Sequence, residues 1–224
     1  MKTTLSFIIG ITFIFTSVKA EVEKLDSIEG DFSFKYGFLS KPTEESKDIT
    51  VLSDSSIIHT GELLRINIGY LTKTHIYVIY KSAEGEYLSI FDSKLDKEVE
   101  SSLDTTYSTA FNWGGMGPPP GIETFYFINT ASPLTELINL VNRFEKVPPK
   151  GKAKLAKRIQ EKIDSLDPDV MDDLSSIVSR LDKPIAGGVA FRGDDDDGLR
   201  DQSLTHECQG TGGMAFQKII LIHQ

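Results

Sequence analysis

The sequence predicts a mainly β, α+β chain: an antiparallel, sandwich-like β domain that carries an inserted helical segment. Three observations point there. Short segments in which apolar and polar residues alternate recur up to about residue 128 and return at the end of the chain. Between them, from about Ser132 to Leu181, the apolar spacing changes to that of helices. The order strands, helices, strands fits one β domain with an insertion better than alternating βαβ units.

Each element follows in chain order. Residues 1–20 read as a secretory signal peptide. Lys2 gives a positive start, Leu5 to Val18 an apolar core, and Val18-Lys19-Ala20 compact residues before a cleavage site. The apolar run is shorter than the ~20 residues of a membrane span, so the exported chain is expected to begin at Glu21 with no integral membrane segment. Phe32, Phe34 and Tyr36 alternate as a first strand. Leu64, Ile66, Ile68 and Tyr70 alternate as a half-buried strand, and Ile76 to Tyr80 read as a central one. Ala83 to Glu86 is a turn, Tyr87 to Phe91 the returning strand, and the three strands together read as an antiparallel meander. Thr124 to Ile128 is a further strand.

Ser132 and Pro133 read as the cap and first turn of a helix carrying Leu134, Leu137, Ile138, Val141 and Phe144. A second helix carries Leu155, Ile159, Ile163 and Leu166. A third restarts at Asp167-Pro168, with Val170, Met171, Leu174, Ile177, Val178 and Leu181 on one side, and ends at Pro184. Val189 to Phe191 and Met214 to His223 read as closing strands, the last paired inside the sheet because Ile219 to Ile222 would not stay exposed. Residues 21–224 are thus expected to form one β domain with a helical insertion at about 132–181.

Composition limits function. The formal charge is -9, and removal of residues 1–20 takes away Lys2 and Lys19 to leave -11. So acidic a chain repels nucleic-acid phosphates, and no nucleic-acid partner is expected. Cys208 is the single cysteine, so no internal disulfide and no multi-cysteine zinc site can form. The core itself has to hold the fold.

The run Gly61-Glu62-Leu63-Leu64-Arg65-Ile66, then His75 to Tyr80, Glu84 to Phe91, Gly121 to Phe127 and Ser132-Pro133-Leu134 resembles a bacterial domain-of-unknown-function family, the one numbered 4384. The resemblance covers roughly residues 61–134. Asp92 follows Phe91 where that family often has Pro, and Glu62 stands where Asp is common. The family's domains are often joined to caspase-like peptidases or protein kinases, or exported alone. The resemblance implies an exported, periplasmic or secreted accessory module that binds a protein partner, and it supplies no catalytic residues.

Several side-chain groups are candidate sites. Cys208, two residues after His206 and before Gly210 to Gly213, has the residue types of a thiol hydrolase that uses a histidine base; a loop thiol before the last strand is the plainer reading. His59, His75, His206 and His223 lack metal-ligand spacing. Asp194, Asp195, Asp196 and Asp197 are hard oxygen ligands suited to calcium, but they miss the spacing of a calcium loop; a solvated hairpin tip is the alternative, and no other cofactor is expected. Arg192-Gly193-Asp194 matches an adhesion tripeptide by composition. Trp113, in Trp113 to Gly121, either stacks on a ligand or pins a long connection. Lys150, Lys152, Lys154, Lys157, Arg158 and Lys162 make the second helix basic. These either pair with Asp164 to Asp173 or form a docking patch for an acidic partner, centred on Lys154, Lys157 and Arg158.

Overall fold

A computed structural model of the chain describes residues 32–71, 73–94, 100–102, 105–167, 183–184, 204–210 and 212–224. The signal peptide, most of the third helix, the Val189 to Phe191 strand, the Arg192-Gly193-Asp194 tripeptide and the Asp194 to Asp197 run lie outside these residues.

Two sheets stack with two helices on one side. The first sheet holds β1 (Phe32–Lys41), β4 (Leu63–Leu71), β7 (Glu100–Ser102), β8 (Thr105–Gly115), β10 (Lys183–Pro184) and β11 (His206–Gly210), in the order β10-β11-β1-β4-β8-β7, and β2 (Thr50–Leu52) pairs with β1. The second runs β3-β12-β9-β5-β6, from β3 (Ser56–Ile58), β12 (Met214–His223), β9 (Gly121–Thr130), β5 (His75–Lys81) and β6 (Tyr87–Asp92). Pairing is antiparallel except between β12 and β3. The expected mainly β, α+β class with helices inserted between strands is what the chain adopts.

Alternation sets the layers. On β1, Phe32, Phe34, Tyr36 and Phe38 point between the sheets, and Leu64, Ile66, Ile68 and Tyr70 do so on β4. Ile76, Val78, Phe125, Phe127, Ala215, Ile219 and Leu221 meet them from the second sheet. The centre is aromatic. The Phe127 ring lies 6.0 Å from Phe34, 5.0 Å from Tyr36 and 5.5 Å from Phe38, distances at which ring pairs add to area burial.

The opposite parity of the second sheet builds a second core. Tyr77, Ile79, Tyr126, Ile128 and Phe216 face away from the sandwich and are covered by α1 (Thr135–Phe144) and α2 (Pro149–Asp164). Leu137, Ile138, Leu140, Val141 and Phe144 of α1, with Leu155, Ile159 and Ile163 of α2, form that cover. One polar hub fastens it. Gln160 Oε1 accepts hydrogen bonds from Tyr87 Oη (2.6 Å), Lys81 Nζ (2.9 Å) and Tyr126 Oη (3.4 Å), while its Nε2 donates to Asp164 (2.7 Å).

Four expectations are corrected. Leu63–Leu71 and His75–Lys81 are strands, but they belong to different sheets, so only β5 and β6 form a hairpin and the meander does not exist. Ser132 does not cap α1. Leu134 is the N-cap, and its backbone N–H donates to Tyr77 Oη at 3.2 Å, which satisfies the helix end from the sheet below. The segment around Cys208 is strand β11, not a loop. Trp113 lies within β8, which continues to Gly115, rather than in a loop. From β11 the chain crosses between sheets into β12 at Gly210, where a Cβ would sit 2.1 Å from the Met214 carbonyl oxygen. Only glycine permits that approach.

Phe127→Ala should therefore cost about 3–5 kcal/mol, the usual range for deleting a buried aromatic ring. Chemical denaturation of the variant measures it, and a loss under about 1 kcal/mol would mean that the sheets do not meet through this ring.

Candidate functional site

The loops β3–β4, β5–β6 and β8–β9 meet at one end of the sandwich. A buried polar lock closes that end. The alternation that turns Phe125 and Phe127 inward also turns Glu123 inward, and its side chain is only 3% exposed. Glu123 Oε2 accepts from Tyr80 Oη (2.7 Å) and from the Ala83 backbone N–H (3.0 Å). Glu123 Oε1 lies 3.3 Å from His223 Nδ1, and His223 Nε2 lies 2.9 Å from Thr60 Oγ1. A carboxylate can only accept, so Nδ1 carries a proton toward Glu123, and the Thr60 hydroxyl stands within reach of both Nε2 and the Gln224 carbonyl oxygen, 3.4 Å away.

This hydroxyl–imidazole–carboxylate connectivity is that of a nucleophile, base and orienting acid. Its setting suits a lock instead. The His223 side chain is wholly buried, whereas a catalytic base has to exchange its proton with a substrate. The backbone closes the same junction: Thr60 N–H donates to the Gln224 carbonyl, and Gln224 N–H to that of Ile58, both at 2.9 Å. Burial, then the hydrogen bond to Glu123, push the Tyr80 phenol well above its ordinary range.

Beside the lock opens a cleft of 480 Å³. The β5–β6 hairpin, the β8–β9 loop with its cis Pro118-Pro119 bond, the end of α1 and the first turn of α2 form its walls. Glu84, Glu86, Glu145 and Lys152 line it, along with Glu123 in its floor. Next to it, a slit of 110 Å³ between the sheets is lined by apolar side chains including Leu88, Met116 and Phe111.

The sequence-predicted residues are dispersed. Cys208 is 4% exposed, packed in the sandwich core, with its thiol 3.5 Å from the Phe216 carbonyl. There it packs as a small apolar side chain within the core. His206, on the same strand, stacks on Tyr36 at 5.0 Å. His59 is exposed beside Glu62 at 3.2 Å. His75 begins β5, where burial and then Lys94 lower its pKa. Among the described residues no three His, Cys, Asp or Glu side chains gather as a metal site, and no helix is long and apolar enough to cross a membrane.

Trp113 and the basic helix lie on opposite sides of the molecule. Trp113 sits in the left-handed region (φ 42°), with Lys41 Nζ 4.5 Å and the Arg65 guanidinium 5.8 Å from its ring. Arg65 turns away from the second sheet, yet it is only 1% exposed, and it donates to Asn67 Oδ1 at 3.2 Å. The basic residues of α2 face outward from the second sheet. Among the described residues their ion pairs go to glutamates, Lys152 to Glu86, Lys162 to Glu136 at 2.7 Å and Lys157 to Glu161 at 3.8 Å, while Asp169, Asp172 and Asp173 lie outside those residues. The Lys162 contact holds the Glu136 carboxyl below its usual pKa. Lys154 and Arg158 are exposed and make no ion pair among the described residues.

Sequence reasoning missed Glu123, Tyr80, Thr60 and Gln160. Glu123 had a readable signal, a lone acid at core parity between glycine and two phenylalanines. Gln160 had none, because its partners come from three strands.

No family model matches the chain, and neither a curated protein nor a solved structure does.

Tyr77, Tyr80, Tyr87 and Tyr126 all have phenols raised above the ordinary value, chiefly by burial. A folded-state pKa above the unfolded one keeps the native proton on while the unfolded chain loses its own. Stability is therefore full below about pH 10 and falls as pH rises beyond it. Denaturation midpoints measured across that range should decline while the ultraviolet signal of tyrosinate lags behind that of free tyrosine. A flat stability profile would contradict the buried phenols.

Proposed function

We propose that this chain is an exported, non-catalytic accessory module, periplasmic or secreted, that binds a protein partner, in line with its resemblance to the bacterial domain-of-unknown-function family. The observation that carries the reading is the outer face of α2. Lys154, Lys157 and Arg158 project from the helical layer of a chain whose overall charge is acidic. Lys154 makes no ion pair among the described residues, Arg158 lies near Glu136 without a direct pair, and the long, exposed pair of Lys157 with Glu161 (3.8 Å) holds it only loosely. A basic face of this kind steers an acidic partner at long range and releases it in salt. The rival reading, a hydrolase built on Cys208 and a histidine, finds no support in a thiol packed under two sheets.

Reversing Lys154, Lys157 and Arg158 to Glu tests the docking face. The thermal midpoint should change little, because exposed pairs contribute at most about 1 kcal/mol. Association with partners captured from the native envelope should slow by about tenfold or more at low salt, and the difference should shrink as salt rises. A lowered midpoint with unchanged association would reject the surface. Export is checked separately: the intact mass of the protein recovered outside the cytoplasm should correspond to a chain starting at Glu21, and a membrane-bound product that keeps residues 1–20 would reject it.

A further inference from the structure

Three isoleucines stand exposed side by side on the outer face of the second sheet. Ile222 of β12 is paired with Ile57 of β3 on one side and with Ile122 of β9 on the other, and the three are 38%, 50% and 61% exposed. Single exposed isoleucines are ordinary, but a contiguous row marks a contact surface. Strand parity puts this row on the face that α1 and α2 cover elsewhere. Their cover reaches β12 at Phe216 and stops short of Ile220, which is half-buried. Between those two residues the same face carries Lys218, exposed and without an ion pair among the described residues.

The chain itself supplies an occupant. α2 ends over this face, since Asp164 and Asp167 act electrostatically on the Tyr126 phenol, and Tyr126 is paired with Lys218 across β9 and β12. The described chain resumes at β10, paired with β11 at the edge of the first sheet. β11 lies against β12, with the Cys208 thiol 3.5 Å from the Phe216 carbonyl. Both ends of the connection therefore lie on the β12 side of the sandwich, one above the second sheet and one at the edge of the first. The short way between them runs over β12 and round its edge, where β3 pairs only with Leu221 to His223. Residues 168–182 are long enough to take it. A helix of that length would span roughly 20 Å, and β12 with β3 adds only about 10 Å beyond β9. The sequence matches the surface in pattern and in charge. Val170, Leu174, Ile177 and Leu181 recur at helical spacing, and Asp169, Asp172 and Asp173 stand among them as counter-charges for Lys218. From the position of these ends and this complementarity we infer that the isoleucine row is the seat of residues 168–181 of the same chain. The contact extends the helical layer over β12 and takes the row out of water. It does not rest on the docking face of Lys154, Lys157 and Arg158.

The full exported chain with labelled methyl groups provides the test. Nuclear Overhauser contacts should join the δ1 methyls of Ile57, Ile122 and Ile222 to the methyls of Leu174, Ile177 and Leu181, and they should persist on dilution. Leu174→Asp puts a charge into the apolar face. It should move the Ile122 and Ile222 signals, and binding of a hydrophobic dye should rise several-fold as the row is uncovered. Ile222→Asp should in turn move the signals of Leu174 and Ile177. The inference is overturned by the absence of these contacts in the parent chain, by contacts that fade on dilution and so belong to a second copy, by Leu174 contacts that map to another surface, or by isoleucine signals that stay in place in Leu174→Asp.

Discussion

Strand β9 has to be buried on both faces, and the remaining layers follow from that need. From Glu123 to Thr130 every residue of the strand is buried. Phe125 and Phe127 point one way, Tyr126 and Ile128 the other. An antiparallel sheet with one wet face would leave one of these pairs in water. The chain therefore supplies a cover for each side: the first sheet, through Phe34, Tyr36 and Phe38, and the helical layer, through Val141, Phe144, Leu155 and Ile159. Flanked by β12 and β5, β9 also has no free edge. A strand apolar on both faces needs three layers, and three layers are what the order of elements builds.

The polar groups follow the same geometry. Glu123 and Gln160 find partners where the packing carries them inward, as buried polar groups usually do, whereas Asn129 Oδ1 on β9 has none among the described residues. Glu123 is turned inward near the start of β9, where the apolar core gives way to loops, and there it meets Tyr80, Ala83 and His223. Gln160 is turned toward the sheet by the same helical face that carries Ile159 and Ile163, and it collects the hydroxyls of Tyr87 and Tyr126. Both clusters join segments distant in sequence, and both fix the walls of the cleft: the first holds the hairpin that carries Glu84, the second the helix that carries Lys152. A cleft with walls pinned in this way loses little conformational freedom when something enters it.

The fold was largely legible in the sequence, and its failures have a common cause. Strands with clean period-two alternation, such as Phe32 to Phe38 and Leu64 to Tyr70, were readable because half-buried strands leave that imprint. Strand β8 was not. Its pairing with β4 shifts register on both sides of Ile66, so Ala110 and Phe111 both turn to the core and the alternation breaks. β11 hid behind a cysteine and a histidine that looked like chemistry, yet both serve as packing: Cys208 opposite Phe34 and His206 opposite Tyr36. Of the site, only the exposed basic residues of α2 and Trp113 were visible, since exposed charges and lone tryptophans announce themselves without neighbours.

By itself the sequence determined the class of the fold, the faces of its strands and helices, and the acidic balance of the chain, because periodicity and charge are properties of neighbours along the backbone. Tertiary structure alone decided which strands share a sheet, placing β4 and β5 in different layers although only Thr72 to Thr74 separate them. It also decided that Cys208 and His206 are core, that Trp113 and the basic helix lie apart, and that Glu123, His223 and Thr60 meet. Those outcomes depend on contacts between segments as far apart in the chain as Phe34 and Cys208. No local pattern records such contacts, since each partner is chosen by the packing of whole layers rather than by its own surroundings in the chain.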